Sequence, residues 1–504
     1  MKNSVVVVIL ITLLSKLLGF GREIILSKYF GTSFVSDSYL IALTIPSVLW
    51  AVIGMGLVTA YIPIVSGLKI RTLDEINRYT SKFINVIVIF VVFMILLYGL
   101  FSHDFVSLFA YGFTKEQILL SVELTDVMIF SMLFTGVVSV LTGFLHDRGS
   151  FNYAAFISFP LNFCVIVSII LASNFSIHFL SYGFLFGTII QLMFIFLVAL
   201  KSGFRYSLST NFYDDNINKT ITLAFPVILG VSVNQLNVVF DKTIASTFSA
   251  GSISSLNYGF MITSVIHSIV VMSIVSIAFP AFSKLAQRKD LSLLMMLVSK
   301  VIKLVLIILV PITVFFIVYS DEIVRLVYHR GAFDEKSIAM TSSTLLFYSV
   351  GLIAIGFREV LIRIFYAFGD TKTPVYNSFL WVFSNIILSL VLSRFYDVGG
   401  LALASSVSAI LSCALLSFHQ KKKDFLLIKF KPTVIVFFNC VFISFICVFL
   451  FDFLRELLSG VIVNIDFVFL VSLLFTSCFY IVACFFLKVF NVDDLDLKSF
   501  QVSE

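Results

Sequence analysis

Apolar runs of about 20 residues, separated by short polar breaks, recur along almost the whole chain. A helix crossing the hydrocarbon core of a bilayer needs about 20 predominantly apolar residues, so each run is long enough to span. About fourteen such runs can be marked, near residues 4–27, 36–66, 82–101, 119–145, 152–173, 178–200, 217–248, 254–283, 295–319, 338–368, 375–393, 400–418, 432–454 and 464–488. The pattern predicts an all-α integral membrane protein and leaves no room for a large soluble domain. The first run, SVVVVILITLL, has no small-residue cleavage site after it and continues through Lys16, so it is expected to persist as the first helix.

The runs fall into two similar sets. REIILSKYFGTSFVSDSY at 22–39 aligns with DKTIASTFSAGSISSLNY at 241–258, matching Ser27 with Ser246 and Tyr39 with Tyr258. SKF at 81 aligns with SKV at 299, SHDFVSLFAYGF at 102 resembles SDEIVRLVYHRGAF at 320, and Asp147 has a counterpart in Asp370. Such ordered matches mark an internal repeat of six helices. An even number per copy gives both copies the same sense in the membrane, related by a pseudo-two-fold axis along its normal. The expected division is an N-lobe at 1–200 (helices 1–6), a C-lobe at 217–418 (helices 7–12), and a two-helix extension at 432–488. Transporters built this way bind substrate near the midplane between repeats and expose it alternately to the two sides.

Composition agrees: of 504 residues, 60% are hydrophobic, 59 are Phe and only 12% are charged, against about 25% charged in soluble domains. The net charge of +6 is explained by topology and gives no reason to expect a nucleic-acid partner. Lys69, Arg71, Arg78, Lys82, Arg148, Lys201, Arg205, Lys219, Lys284, Arg288, Lys289, Lys372 and the cluster KKKDFLLIKFK share the side of the N-terminus. The other side holds only Lys28, Lys115, Arg325, Arg330, Lys336, Arg394 and Arg455. By the positive-inside rule both termini are cytoplasmic. Cys164, Cys413, Cys440, Cys447, Cys478 and Cys484 lie in apolar runs without CxxC spacing or a nearby His, which fits inert buried thiols and supports no metal site.

Charge inside the runs carries the functional information. An ionisable side chain at the bilayer centre costs about 2.5–3.5 kcal/mol on insertion scales, so several on one helix face water or one another. Lys16, Gly19, Arg22 and Glu23 fall within a sector of about 120° on the first helix. Asn234, Asn237 and Asp241 share about 60° of the seventh, with Lys242 beside them. Asp37 opens the second helix. Together these predict a polar, cationic face, with Arg22 foremost because a guanidinium stays charged when desolvated and grips phosphate oxygens as a fork. The residues alone also allow Arg22 and Glu23, or Asp241 and Lys242, to neutralise each other as packing pins, and Lys16 to snorkel.

On the tenth run Glu359 and Arg363 are spaced to pair locally, with Arg358 pointing elsewhere; these three and Asp370 are candidate gating residues. In GDTKTP, Thr373 is expected as the N-cap and Pro374 as the first residue of the next helix. In YHRGAFDEK, Arg330 or Lys336 could pair with Asp334 or Glu335. No serine triad, HExxH, Walker sequence or dinucleotide fingerprint is present, and the six His lack metal-ligand spacing, so no enzymatic activity is expected.

LGFGREIILSKYFGTSFVSDSYLIALTIP, NQLNVVFDKTIASTFSAGSISSLNYG, RGAFD and REVLIRIFYAFGDTKTP, in this order and with two further helices, resemble the lipid II flippase family (MurJ/MviN) of the multidrug/oligosaccharidyl-lipid/polysaccharide exporter superfamily. The resemblance runs over roughly 1–420. It implies a bacterial inner-membrane protein that carries lipid II, the undecaprenyl-diphosphate-linked peptidoglycan precursor, to the outer leaflet. Lys16, Arg22, Glu23 and Asp37 fall on charged family positions of the central cavity, and Asp241–Lys242 on the acidic–basic pair of helix 7 found in one branch. The last two helices, 432–488, correspond to a groove for the lipid tail. Two arginines that many members carry after IPSVL are Trp50–Ala51 here, a following Glu–Gly is Met55–Gly56, and an Asp–Arg pair is Phe260–Met261.

The expected function is therefore a lipid-linked precursor flippase working by alternating access, as a monomer among membrane lipids. It needs no cofactor, and the source of energy is left open between sodium, protons and the membrane potential. The alternative is an ion-coupled exporter of soluble drugs or metabolites from the same superfamily, with Asp37 or Asp241 as coupling carboxylate.

Overall fold

A computed structural model describes residues 2–67, 72–207, 215–422, 430–460, 464–487 and 489. Lys69, Arg71 and 423–429 of the basic cluster lie outside the described residues. The described elements are helices: α1 (Lys2–Phe30), α2 (Phe34–Gly67), α3 (Leu73–Leu100), α4 (Ser102–Phe109), α5 (Lys115–Met128), α6 (Ser131–Asp147), α7 (Phe151–Phe156), α8 (Ser158–Asn174), α9 (Phe179–Lys201), α10 (Asp215–Ala245), α11 (Ser252–Gln287), α12 (Leu291–Val318), α13 (Ser320–Tyr328), α14 (Glu335–Ala367), α15 (Lys372–Lys422), α16 (Phe430–Ser459) and α17 (Ile465–Phe486). The protein is an all-α membrane protein. Among the described residues nine helices are long and apolar enough to cross a bilayer, and two bent pairs bring the number to eleven.

The apolar runs of the sequence fall on described helices, the run at 152–173 being divided between α7 and α8. The run at 119–145 is α5 and α6, which meet at 42°. The runs at 375–393 and 400–418 are both in α15, interrupted at Tyr396 and Asp397, where Asp397 adopts φ +48°. Unbroken, its 51 residues would extend about 77 Å, far beyond a hydrocarbon core of about 30 Å. Two elements were not legible as runs: α4 and α13, of 8 and 9 residues, which fall on the matched segments at 102 and 320.

The start of α15 corrects one sequence expectation. Asp370, rather than Thr373, supplies the cap: its carboxylate accepts from the Thr373 amide at 3.1 Å and the Thr373 hydroxyl at 2.7 Å. The helix begins at Lys372, so the exposed first-turn amides meet the acidic side chain just ahead of them.

The chain divides into two compact units, Met1–Tyr258 with Tyr328–Ser337, and Gly259–Val327 with Ile338–Glu504. In lipid, apolar burial does not drive helix association, and close approach rests on small residues and interhelical hydrogen bonds. In the first unit Gly183 of α9 faces Ser168 of α8, and Gly187 faces Leu161 and Cys164, positions with no space for a Cβ. In the second unit α16 and α17 pack on α12. Pro311 inside α12 cannot donate to the carbonyl four residues back. That carbonyl, of Ile307, instead accepts from the Tyr480 hydroxyl of α17 at 3.0 Å. Tyr319 donates to Asp452 at 2.8 Å, and Arg455 reaches Glu322 at 3.3 Å.

Candidate functional site

The polar residues of α1 and α2 meet inside the first unit. The Arg22 guanidinium places Nε at 3.1 Å and Nη2 at 2.6 Å from Oε1 of Glu23, its neighbour in sequence. Its Nη1 donates to Oδ1 of Asn162 on α8 at 3.3 Å. Gly19, one turn before, borders the same seam, where a Cβ would make ordinary van der Waals contact with the Asn162 amide at 3.9 Å. The second oxygen of Glu23 accepts from Asn257 of α11 at 3.0 Å, and the carboxylate is 2% exposed. Charge-assisted hydrogen bonds thus satisfy both charges, as a buried pair requires.

Asp37 occupies the first turn of α2 and turns both oxygens to the start of α11. Oδ2 accepts from the Gly251 amide and Oδ1 from the Ser254 amide, each at 2.7 Å. A helix start offers unpaired N–H groups and a partial positive charge, so a carboxylate is stabilised there. The turn between α1 and α2 needs Gly31 at φ +57°. Tyr258 donates to the Gly31 carbonyl at 3.2 Å.

The connection Tyr328–Ser337 closes over the same turn. The Ala332 amide donates to the Lys28 carbonyl at 2.8 Å, and the Thr32 hydroxyl to Ser337 at 2.7 Å. Gly31 abuts Ala332, Gly251 abuts Thr32 and Gly331 abuts Lys28, in each case backbone against backbone where a Cβ has no room. All three have positive φ. Rings of Tyr258, Tyr328 and Phe333 pack against one another, tilted or edge to face, with centroids 5.1–5.9 Å apart. Asp334 caps α14 by accepting from the Ser337 amide at 2.9 Å and hydroxyl at 2.7 Å. Those bonds, the hydroxyl foremost, hold its carboxyl below the usual carboxylate range. The cap, rather than an ion pair with Arg330 or Lys336, is the role of Asp334 seen in the structure.

Lys242 of α10 reaches α2, donating to the Leu40 carbonyl at 3.2 Å and to the Thr44 hydroxyl. Asp241 accepts from Asn237 one turn earlier at 3.2 Å. Lys16 lies on an exposed stretch of α1. The Trp50 indole fills the space beside Gly54 and Gly136. Along α8 and α9 runs a cavity of about 1120 Å³ walled by hydrocarbon, among it Leu18, Phe159, Phe163, Tyr182 and Phe186.

In the second unit the candidate gating residues separate. Arg358 donates to Ser412 at 2.8 Å and Ser378 at 3.1 Å, and lies 4.8 Å above the Trp381 ring. Glu359 stands 3.9 Å from Arg358, whereas Arg363 lies over Phe279 at 5.6 Å. The expected pairing of Glu359 with Arg363 is therefore not made: the guanidinium of Arg363 turns to an aromatic face instead. Asp370 is the helix cap described above. Sequence reasoning missed Asn162, Asn257, Tyr39 and Thr44; the signal for Asn162 was a single amide in the otherwise apolar SFPLNFCVIV.

A sequence model of the lipid II flippase MurJ matches residues 26–482. The chain belongs to the lipid II flippase family. A relative described as a lipid II flippase MurJ, from Thermosipho africanus, is 27% identical over 476 residues, 93% of this chain and 94% of its own. A probable lipid II flippase MurJ of Rickettsia prowazekii is 26% identical over 426 residues, 84% of either chain. A solved structure of a lipid II flippase MurJ in an inward closed conformation matches with a TM-score of 0.81 and 25% identity over 96% of this chain and 99% of its own. An inward-facing multidrug resistance MATE transporter matches over 82% of this chain and 95% of its own, with a TM-score of 0.68 at 14% identity, a likeness of fold alone.

Proposed function

We propose that this chain is a flippase for lipid II in the bacterial inner membrane, moving the undecaprenyl-diphosphate-linked peptidoglycan precursor to the outer leaflet by alternating access. One observation carries the reading to the chemistry: a guanidinium fork held within a membrane helix, backed by Glu23 and Asn162, in a chain of the flippase family. A diphosphate cannot pass hydrocarbon uncompensated, and fixed cations supply the compensation. Arg22 is the principal headgroup contact, with Lys16 and Lys242 as further cations and Glu23, Asp37 and Asp241 setting their positions. The turns clasped by Asp37, Gly31, Gly251 and Gly331 act as the gate on the outer side.

The lobes at 1–200 and 217–418 are the moving parts, and in 432–488 α16 carries exposed Phe438, Phe442 and Phe449 and α17 exposed Phe467, Phe475 and Phe485 for the lipid tail. Arg358, Glu359, Arg363 and Asp370 belong to gating on the inner side. Both termini face the cytoplasm and the protein works as a monomer without catalytic groups. Sodium, protons or the membrane potential, the last worth about 2.3 kcal/mol per charge per 100 mV, supply the energy.

Depletion in cells lacking every other flippase tests the reading. Precursor is expected to collect on the cytoplasmic face and growth to stop; continued delivery to the outer leaflet would refute it. The MATE-like fold also suits a soluble-substrate exporter, which predicts drug efflux and no precursor block.

A further inference from the structure

The cavity along α8 and α9 follows from where those helices carry small and large side chains. A Cβ at Gly183 would meet Ser168, and one at Gly187 would meet Leu161 and Cys164, so the two helices touch along their smallest residues. Beside that contact Phe163, Val167, Tyr182 and Phe186 stand out exposed and wall a trough of about 1120 Å³. Stacked rings of Phe156 and Phe159, 4.5 Å apart, line it as well. The hydroxyl in its floor, that of Ser168, donates to the Val165 carbonyl of its own helix at 2.8 Å, which leaves the floor as apolar as the walls.

Size and place point to one occupant. The volume exceeds the about 300–1,000 Å³ of small-molecule pockets. From Phe159 to Leu171 the trough follows α8 for about 18 Å at about 1.5 Å per residue, longer than the about 15 Å that one leaflet contributes to a hydrocarbon core of about 30 Å. An ordinary acyl chain ends at the midplane, whereas a chain that fills this trough passes it. The trough also shares the seam of α1 and α8 with the guanidinium. Leu18, on its rim, lies one turn before Arg22 on the same face of α1. Asn162, which accepts from Arg22 at 3.3 Å, sits between Pro160 and Phe163 of the lining. A long hydrocarbon chain with an anionic head therefore finds a cation and a trough on the same pair of helices.

We propose that the trough between α8 and α9 seats the head-proximal part of a polyprenyl chain, as a tail site separate from the exposed phenylalanines of α16 and α17. The inference rests on the flippase reading and deepens it. Lipid is as apolar as the trough, so selection comes from fit rather than from burial. A polyprenyl chain, stiffened by its double bonds, loses less conformational freedom on being ordered than a saturated acyl chain does, and its methyl branches pack against the aromatic walls.

The test uses purified full-length protein in nanodiscs, a polyprenyl diphosphate with a photoreactive diazirine near the head end of its chain, and a vesicle assay of precursor translocation. Mass spectrometry should place the cross-links on α8 and α9, at Phe163, Tyr182 and Phe186. Excess unlabelled polyprenyl diphosphate should lower them about tenfold, and the same excess of phosphatidylglycerol less than about twofold. Val167→Trp fills the trough and should lower both cross-linking and translocation about tenfold, whereas Leu96→Trp, at an exposed position of α3, should change neither. Equal competition by the two lipids assigns the trough to ordinary acyl chains and overturns the inference, and that measurement needs no variant. A parent that translocates precursor without labelling on α8 and α9, or a Val167→Trp variant that labels as the parent does, overturns the inference and leaves the flippase reading standing. A parent that translocates nothing overturns both.

Discussion

The Asp37 carboxylate and the Gly251 amide, 214 residues apart in sequence, are joined by a 2.7 Å hydrogen bond. One acidic side chain thereby fastens the second helix of the chain to the beginning of α11. In the proposed cycle this bond is made and broken, so its strength sets how readily the outer clasp opens.

Replacing Asp37 by Ala leaves two amides at the start of α11 without acceptors. Hydrogen bonds to charged groups are worth about 1.5–3 kcal/mol each. Labelling of a cysteine placed at Thr32 by a membrane-impermeant thiol reagent should rise several-fold in the Asp37→Ala background, and unchanged labelling would show that the bond does not hold the clasp.

The three interlocked glycines give a steric prediction. Ala at Gly31 must adopt φ +57° and meet the Ala332 carbonyl; strained backbone alone costs about 1–3 kcal/mol. Gly31→Ala and Gly331→Ala should lower the melting temperature in detergent, whereas Gly149→Ala, with equally positive φ but open space, should lower it less.

Arg22→Lys tests the fork rather than the charge. A lysine ammonium offers a point charge without parallel donors. Translocation should fall at least about tenfold in Arg22→Lys and about a hundredfold in Arg22→Ala, each scored after membrane insertion is confirmed. Full activity of the lysine variant would remove bidentate recognition from the account.

Acid should loosen the Tyr328–Ser337 connection through Asp334. Its carboxyl is depressed below the ordinary 3.8 by Ser337, so the stabilising contribution is complete above that ordinary value and disappears as pH falls through the lower folded value. Melting temperature measured from pH 6 downward should drop less steeply in Asp334→Asn than in the parent at the acidic end. Parallel curves would assign the acid response to other groups.

Tyr480 and Pro311 should be coupled. Tyr480→Phe strands the Ile307 carbonyl and should destabilise by about 1–3 kcal/mol. Pro311→Ala restores the helical donor for that carbonyl, so in its background Tyr480→Phe should cost much less. Additive effects in the double-mutant cycle would contradict the pairing.

The sequence showed where charge enters the membrane because Lys16, Arg22, Glu23, Asp37 and Asp241 interrupt apolar runs, where each is costly. It did not show what those groups hold. Asp37 is held by backbone amides, which leave no trace in side-chain identity. Lys242 turns to a carbonyl and a hydroxyl of α2 for the same reason. Glu359 and Arg363 were spaced for a pair, yet Arg358 takes the carboxylate while Phe279 takes the second guanidinium. The helices α4 and α13 were hidden by their shortness, since a run of 8 or 9 mixed residues carries too few turns for apolar periodicity to stand out.

The account depends most on Arg22 carrying a diphosphate lipid across the bilayer. The direct measurement is transbilayer movement of a fluorescent undecaprenyl-diphosphate-linked precursor in vesicles containing the purified chain, compared with Arg22→Ala inserted to the same level. Movement by the parent and its loss in the variant is the expected result; equal movement by both, or none by the parent, contradicts it.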